Sequence, residues 1–160
     1  MLNLSIICVG KLKERFYVDA ANEYLKRLAG YCKPEVIEIR EQRLPAEPSD
    51  AQIMASLEKE HDAIDAIIPA GAFTFALCLE GREIDSDELS KLLSDRAVHG
   101  TSRLCFIIGG SHGISDSLKA RADFKLSLSK MTFPHNLARV ILLEQLYRAF
   151  KIAEGGKYHK

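Results

Sequence analysis

The chain has 160 residues, 47% apolar and 28% charged, with 22 basic and 22 acidic side chains. The length suits one domain, residues 1–160, that buries about 70% of the surface its unfolded chain exposes, so a core forms without disulfide or metal staples. Composition excludes a disordered or fibrous chain, no run approaches 18 apolar residues, and the N-terminus lacks the pattern of a signal peptide, so no membrane segment and a cytoplasmic location are expected.

Leu2–Val9 is a short β-branched run closed by Gly10 and predicts a buried strand. Phe16, Ala20, Tyr24 and Leu28 recur every fourth position, one face of a helix from Glu14 to Leu28 that Gly30 stops. Glu35–Ile39 reads as a second strand, and Leu44–Pro48 as a loop with two prolines. Ser49 and Gln52 form a capping box that opens a helix to about Asp65. Ala72–Leu79 predicts a third strand, closed by Glu80-Gly81. Asp85 and Glu88 form a second capping box, before a helix to about Val98 that Gly100 ends. Arg103–Ile108 is a strong strand, followed at once by Gly109-Gly110-Ser111-His112-Gly113. A short helix over 115–122, a strand over 124–128, a loop over 129–135 and a long helix to about Glu154 complete the chain. Short apolar strands alternating with helices predict an α/β fold with a parallel sheet covered on both faces.

Ligands of open parallel sheets collect beyond the carboxyl ends of the strands. Three such ends carry unusual residues: Leu77–Gly81, Ile107–Gly113 and Leu126–His135. If their strands are neighbours, the three loops form one pocket. Gly109-Gly110 lets a backbone approach a ligand closely, or serves a turn that needs positive φ. The run is neither G-x-G-x-x-G nor a P-loop. Histidines 61, 99, 112, 135 and 159 show no metal-ligand spacing, Ser111 lacks the G-x-S-x-G elbow, and no metal is expected. Cys8, Cys32, Cys78 and Cys105 have no C-x-x-C pattern and read as buried, reduced thiols.

The neutral total hides an asymmetry. Residues 125–160 hold seven Lys and Arg against two Glu, a net +5, and the first 124 residues carry −5. A basic C-terminal segment is a possible footprint for RNA, or else a solvated helix face and tail. Arg139 and Arg148 are nine positions apart on the last helix, half a turn out of phase, so they cannot face one pocket from one chain. Glu144 stands at i,i+4 to Arg148 and suits a buried structural partner. Two other readings stay open on these features: a non-enzymatic ribosome-binding or assembly protein, and a nucleotide-binding oxidoreductase, which the missing dinucleotide fingerprint disfavours.

Five blocks carry a resemblance: Gly10-Lys-Leu-Lys-Glu14, Ile107-Ile-Gly-Gly-Ser-His-Gly113, Leu126-Ser-Leu-Ser-Lys-Met-Thr-Phe-Pro-His135, Arg139-Val-Ile-Leu-Leu-Glu-Gln-Leu-Tyr-Arg-Ala-Phe150, and Tyr158-His159. Over about Leu4 to His159 the chain resembles the RlmH family, small SPOUT-class 23S rRNA (pseudouridine-N3)-methyltransferases. The resemblance implies a parallel-sheet SPOUT fold with a C-terminal trefoil knot. It implies S-adenosylmethionine as methyl donor, no metal, a homodimer whose site draws on both chains, and the assembled ribosome as substrate. The cofactor contacts it implies are Leu77, Gly109, Leu128, Ser129, Lys130, Met131, Thr132 and Phe133. Candidates for proton handling and imide stabilisation are His135, Arg139, Tyr158 and His159; those for substrate binding are Lys130, Arg139, Arg148 and Lys157. Zero net charge is compatible with reading a shaped particle rather than gripping naked RNA by broad electrostatics.

Overall fold

The computed structural model describes residues 1–158; His159, one of the candidate residues, lies outside them. In chain order the elements are β1 (Leu2–Val9), α1 (Arg15–Leu28), β2 (Cys32–Ile39), α2 (Asp50–Asp65), β3 (Phe73–Glu83), α3 (Ser86–Val98), β4 (Arg103–Ile108), α4 (Asp116–Arg121), β5 (Phe124–Ser127) and α5 (His135–Ala153). The strands form one five-stranded parallel sheet in the order β2-β1-β4-β3-β5. The expected α/β architecture is present, and β4, β3 and β5 are neighbours.

Side chains alternate across the sheet and so divide the core in two. Leu4, Ile6 and Cys8 of β1, with Phe75, Leu104, Phe106 and Leu126, pack against Leu28, Leu93, Leu142, Leu143 and Leu146 of α1, α3 and α5. Phe75 and Phe106 stack at 4.2 Å at the centre of this face. Ile7, Val9, Ala76, Cys105 and Ile107 point the other way, onto Ile64 of α2 and Leu118 of α4. Both capping boxes form. Ser49 Oγ accepts the Gln52 N–H at 3.2 Å while the Ser49 N–H donates to Gln52 at 2.9 Å. Asp85 and Glu88 exchange the same pair at 2.8 and 2.9 Å.

Two strands differ from the sequence expectation. β2 starts at Cys32 rather than Glu35, with Pro34 opposite Leu4. β2 is an edge strand, where a missing N–H costs no ladder bond on its open side. β3 does not end at Glu80-Gly81 but runs to Glu83 around an excursion. Leu77 and Arg82 both lie opposite Leu126 of β5, and the four residues between them bulge out. Gly81 permits this, because a Cβ there would sit 2.7 Å from the Leu126 carbonyl carbon.

The thiols divide by exposure. Cys8, Cys32 and Cys105 are buried as expected, whereas Cys78 is only half-buried. Burial pushes the Cys8 and Cys32 thiols up to about 11 and Cys105 up to about 12. The unfolded chain ionises its thiols from about pH 8.5. Folded stability is therefore full below that pH and falls as pH rises toward the folded-state values. The denaturant midpoint should drop between pH 8 and pH 10. At pH 7.5 a disulfide reagent should find one fast-reacting thiol in the native protein and four after unfolding; more than one fast native thiol would contradict this packing.

Candidate functional site

The three loops do meet. Beyond the carboxyl ends of β4, β3 and β5 lies a cavity of about 680 Å³, in the usual range for a small-molecule site. Its glycine wall follows β4 directly. Gly113 donates its N–H to the Gly110 carbonyl at 3.0 Å and adopts φ +79°. Gly109 and Gly110 do not have positive φ; the reason for Gly109 is steric. A Cβ on it would lie 2.2 Å from the Gly113 carbonyl oxygen, so the chain folds back onto itself with no side chain between.

The turn feeds straight into α4. Ser115 Oγ caps that helix by accepting the Leu118 N–H at 3.1 Å. His61 of α2 reaches across, with Nδ1 2.9 Å from Ser117 Oγ and 3.1 Å from Ser115 Oγ. Ser117 donates its proton to Glu58 at 2.9 Å, which leaves its oxygen free to accept from the imidazole. On the other side of the turn, Ser111 donates to Glu41 at 3.1 Å. Burial raises the carboxyl of Glu60 above its ordinary range. Glu60 accepts the Gln42 N–H at 3.1 Å and so holds the loop that carries Glu41.

The second wall is the β3 excursion, which brings Cys78, Leu79 and Glu80 to the cavity. Burial raises the Cys78 thiol. Glu80 pairs with Lys119 of α4, and this hydrogen bond holds the Glu80 carboxyl below its ordinary range. The pair therefore persists into mildly acidic solution and is lost only as pH falls through that lowered value.

The third wall follows β5. Thr74 of β3 donates its N–H and hydroxyl to Asp123 at 2.8 and 2.9 Å and accepts the Asp123 N–H at 3.1 Å, which pins the start of β5. Ser127 donates to the Ser129 carbonyl at 3.0 Å, and Ser129 Oγ accepts the Met131 N–H at 3.0 Å. The loop is thus tied to itself before Pro134 starts α5.

Of the residues singled out in the sequence, Leu77, Gly109, Leu128, Ser129, Met131, Thr132, Phe133 and His135 line the cavity together. Lys130, Arg139, Arg148, Lys157 and Tyr158 are not among its lining residues. Arg139 is 4% exposed and donates to Glu38 at 2.9 Å and to the Gly10 carbonyl at 3.1 Å. It ties α5 to β1 and β2. Arg148 pairs with Glu144, as their spacing suggests, and lies 4.7 Å from the centre of the Tyr158 ring. Tyr158 donates to Glu144 at 3.3 Å and packs on Tyr147, so it docks along α5 of its own chain. Lys130 and Lys157 are exposed. Sequence reasoning missed Lys119; it placed Glu80 in the Leu77–Gly81 loop of the expected pocket but gave it no role. No local pattern could have shown their pairing across 39 positions.

The comparisons point to one family. A family model described as "Predicted SPOUT methyltransferase" matches residues 2–159. A protein of Clostridioides difficile named ribosomal RNA large subunit methyltransferase H is 46% identical over 159 residues, 99% of this chain and 100% of that one. A protein of the same name from Clostridium acetobutylicum matches with the same identity and coverage. Among solved structures, a tRNA (m1G37) methyltransferase from Aquifex aeolicus superposes with a TM-score of 0.53 at 14% identity, over 91% of this chain and 69% of that one. A "probable methyltransferase" from Bordetella pertussis Tohama I gives 0.61 at 14% identity, over 92% and 94%. These two likenesses bear on the fold alone.

The steric reading of Gly109 is open to a direct check. Gly109→Ala should lower the denaturant midpoint and abolish small-molecule binding, because the turn must open. Gly100→Ala, with nothing within 4 Å of a Cβ but φ +84°, should destabilise the fold modestly and leave binding intact.

Proposed function

The chain belongs to the SPOUT methyltransferase family, and on that footing we propose that it is a large-subunit rRNA methyltransferase whose cavity holds S-adenosylmethionine. The substrate is N3 of a pseudouridine in the 23S rRNA of the assembled ribosome, and the compartment is the cytoplasm. One SPOUT domain spans residues 1–160, its C-terminal part carries the family's trefoil knot, and it acts as a homodimer. The observation that supports this best is the cavity itself. It combines apolar walls from Leu77, Ile114 and Leu128 with a glycine turn too close-packed for any side chain. Such a site accepts a flat ring against its apolar walls and offers backbone groups to a ribose. The residues present fit this cofactor.

S-adenosylmethionine supplies a methyl carbon activated by the positive sulfonium. The chain's own residues must position the acceptor ring and remove the N3 proton, so that nitrogen has an electron pair for the new C–N bond as the C–S bond breaks. Among the described residues two imidazoles line the cavity, His112 and His135, and His135, at the start of α5, is the candidate for this proton. Arg139 acts through position: its bonds to Glu38 and Gly10 set α5, and with it His135, against the sheet. Arg148 and Tyr158 meet on α5, with the exposed Lys157 next to Tyr158 in the chain, and we assign these three, with His159, to the cavity of a second subunit. Lys130 stands exposed beside the third wall, where it can take an rRNA phosphate.

The test is transfer of tritiated methyl from S-adenosylmethionine to ribosomes from a strain lacking the gene, with free rRNA in parallel. Label is expected in the large-subunit rRNA of intact ribosomes, and nuclease digestion should place it on a pseudouridine. His135→Ala should slow single-turnover transfer by about 100-fold or more. If folded protein labels neither substrate, the enzyme reading is wrong and a ribosome-binding protein takes its place.

A further inference from the structure

Among the described residues that line the cavity, Glu80 and Lys119 are the only Asp, Glu, Lys or Arg side chains. They have opposite sign and touch each other. Each is delivered by a dedicated piece of backbone. Glu80 sits on the four-residue excursion of β3, which Gly81 seats against the β5 main chain. Lys119 projects from the short helix whose start Ser115 caps and His61 holds. The Lys119 side chain is 19% exposed, and its other carboxylate neighbour is the fully exposed Asp116 at 4.0 Å.

The Glu80 carboxylate is 55% exposed, so water screens the pair and it adds little to stability, and nothing about the fold requires it to face a cavity. A ligand that itself carries both charges can open it without loss. Its carboxylate takes the Lys119 ammonium, its ammonium takes the Glu80 carboxylate, and two charge-assisted bonds replace one. We propose that Glu80 and Lys119 form the subsite for the α-amino-acid end of the cofactor, reading its ammonium and carboxylate as a zwitterion. This rests on the S-adenosylmethionine reading above and adds to it the two residues that grip the end of the molecule remote from adenine. Methyl transfer removes the sulfonium charge but leaves the zwitterion untouched. The subsite therefore holds the demethylated product by the same two contacts, and product release must break them.

The experiment is calorimetric titration of the intact protein with S-adenosylhomocysteine and with 5′-methylthioadenosine. Both carry adenosine and a thioether; only the first has the amino-acid end. The wild-type protein should bind S-adenosylhomocysteine at least tenfold more tightly. Lys119→Met and Glu80→Gln should each shrink that ratio toward one by weakening S-adenosylhomocysteine alone, with 5′-methylthioadenosine affinity unchanged. Lys119→Arg should keep most of the preference, since it keeps the charge. A ratio that survives both Lys119→Met and Glu80→Gln would overturn the subsite, as would an equal loss for both ligands, which marks a merely structural pair. Failure of the wild-type protein to bind either nucleoside would instead overturn the cofactor reading beneath it.

Discussion

The approach of Gly109 to Gly113 is the contact on which the site depends. Two stretches of main chain lie closer than any side chain would allow, with 2.2 Å left for a Cβ. That closeness lets β4 end in a turn flat enough to be a cavity wall and still deliver Ser115 in place to cap α4. The position of α4 sets that of Lys119, and the His61 bonds to Ser115 and Ser117 hold it from the far side. A second close approach, Gly81 on the β5 backbone, does for Glu80 what the first does for Lys119. The cavity is thus shaped by two places where side chains are forbidden. The residues around it supply its chemistry.

The charges show a similar division between holding and binding. The C-terminal segment reads as +5 in sequence, which suggests a patch that attracts phosphate. In the folded chain one unit of that excess is turned inward: Arg139 is buried on Glu38, outside the segment. The Arg148–Glu144 and Lys151–Glu154 pairs lie within the segment, and the +5 already counts them as neutral. A buried arginine must keep its partner, since removing one member leaves the other charge without compensation. Arg139 is therefore better understood as a rivet between α5 and the β1–β2 edge than as a free cation.

Much of the fold was legible because it is written locally. β1 and β4 follow from apolar β-branched runs closed by glycine, and both capping boxes follow from residues three positions apart. The Glu144–Arg148 pair was legible for the same reason, since i,i+4 neighbours on a helix must meet. The misses have a common cause in distance along the chain. Pro34 argues against a strand until the sheet order shows β2 at an edge. Glu80-Gly81 looks like a strand end until Leu126 is seen opposite both Leu77 and Arg82. Glu38 is 101 positions from Arg139, and only the fold introduces them. The cavity loops were recognisable one by one, but their assembly hung on strand order, which periodicity does not encode.

That strand order also bears on how the protein is made. β4 lies between β1 and β3, and its sequence comes after both. A chain emerging from its N-terminus can pair β1 with β2 early, but the other edge of β1 stays bare until residue 108 has been made. β3 has no neighbour at all through that interval, because both its partners, β4 and β5, come later. The apolar strand Phe73–Leu77 must wait unpaired, the kind of edge on which nascent chains associate wrongly. The central strand therefore acts as the keystone of assembly. A pause in synthesis just before β4 would be the most hazardous point for this chain, and the hazard ends only once α5 is made and covers the Phe75–Phe106 face of the sheet.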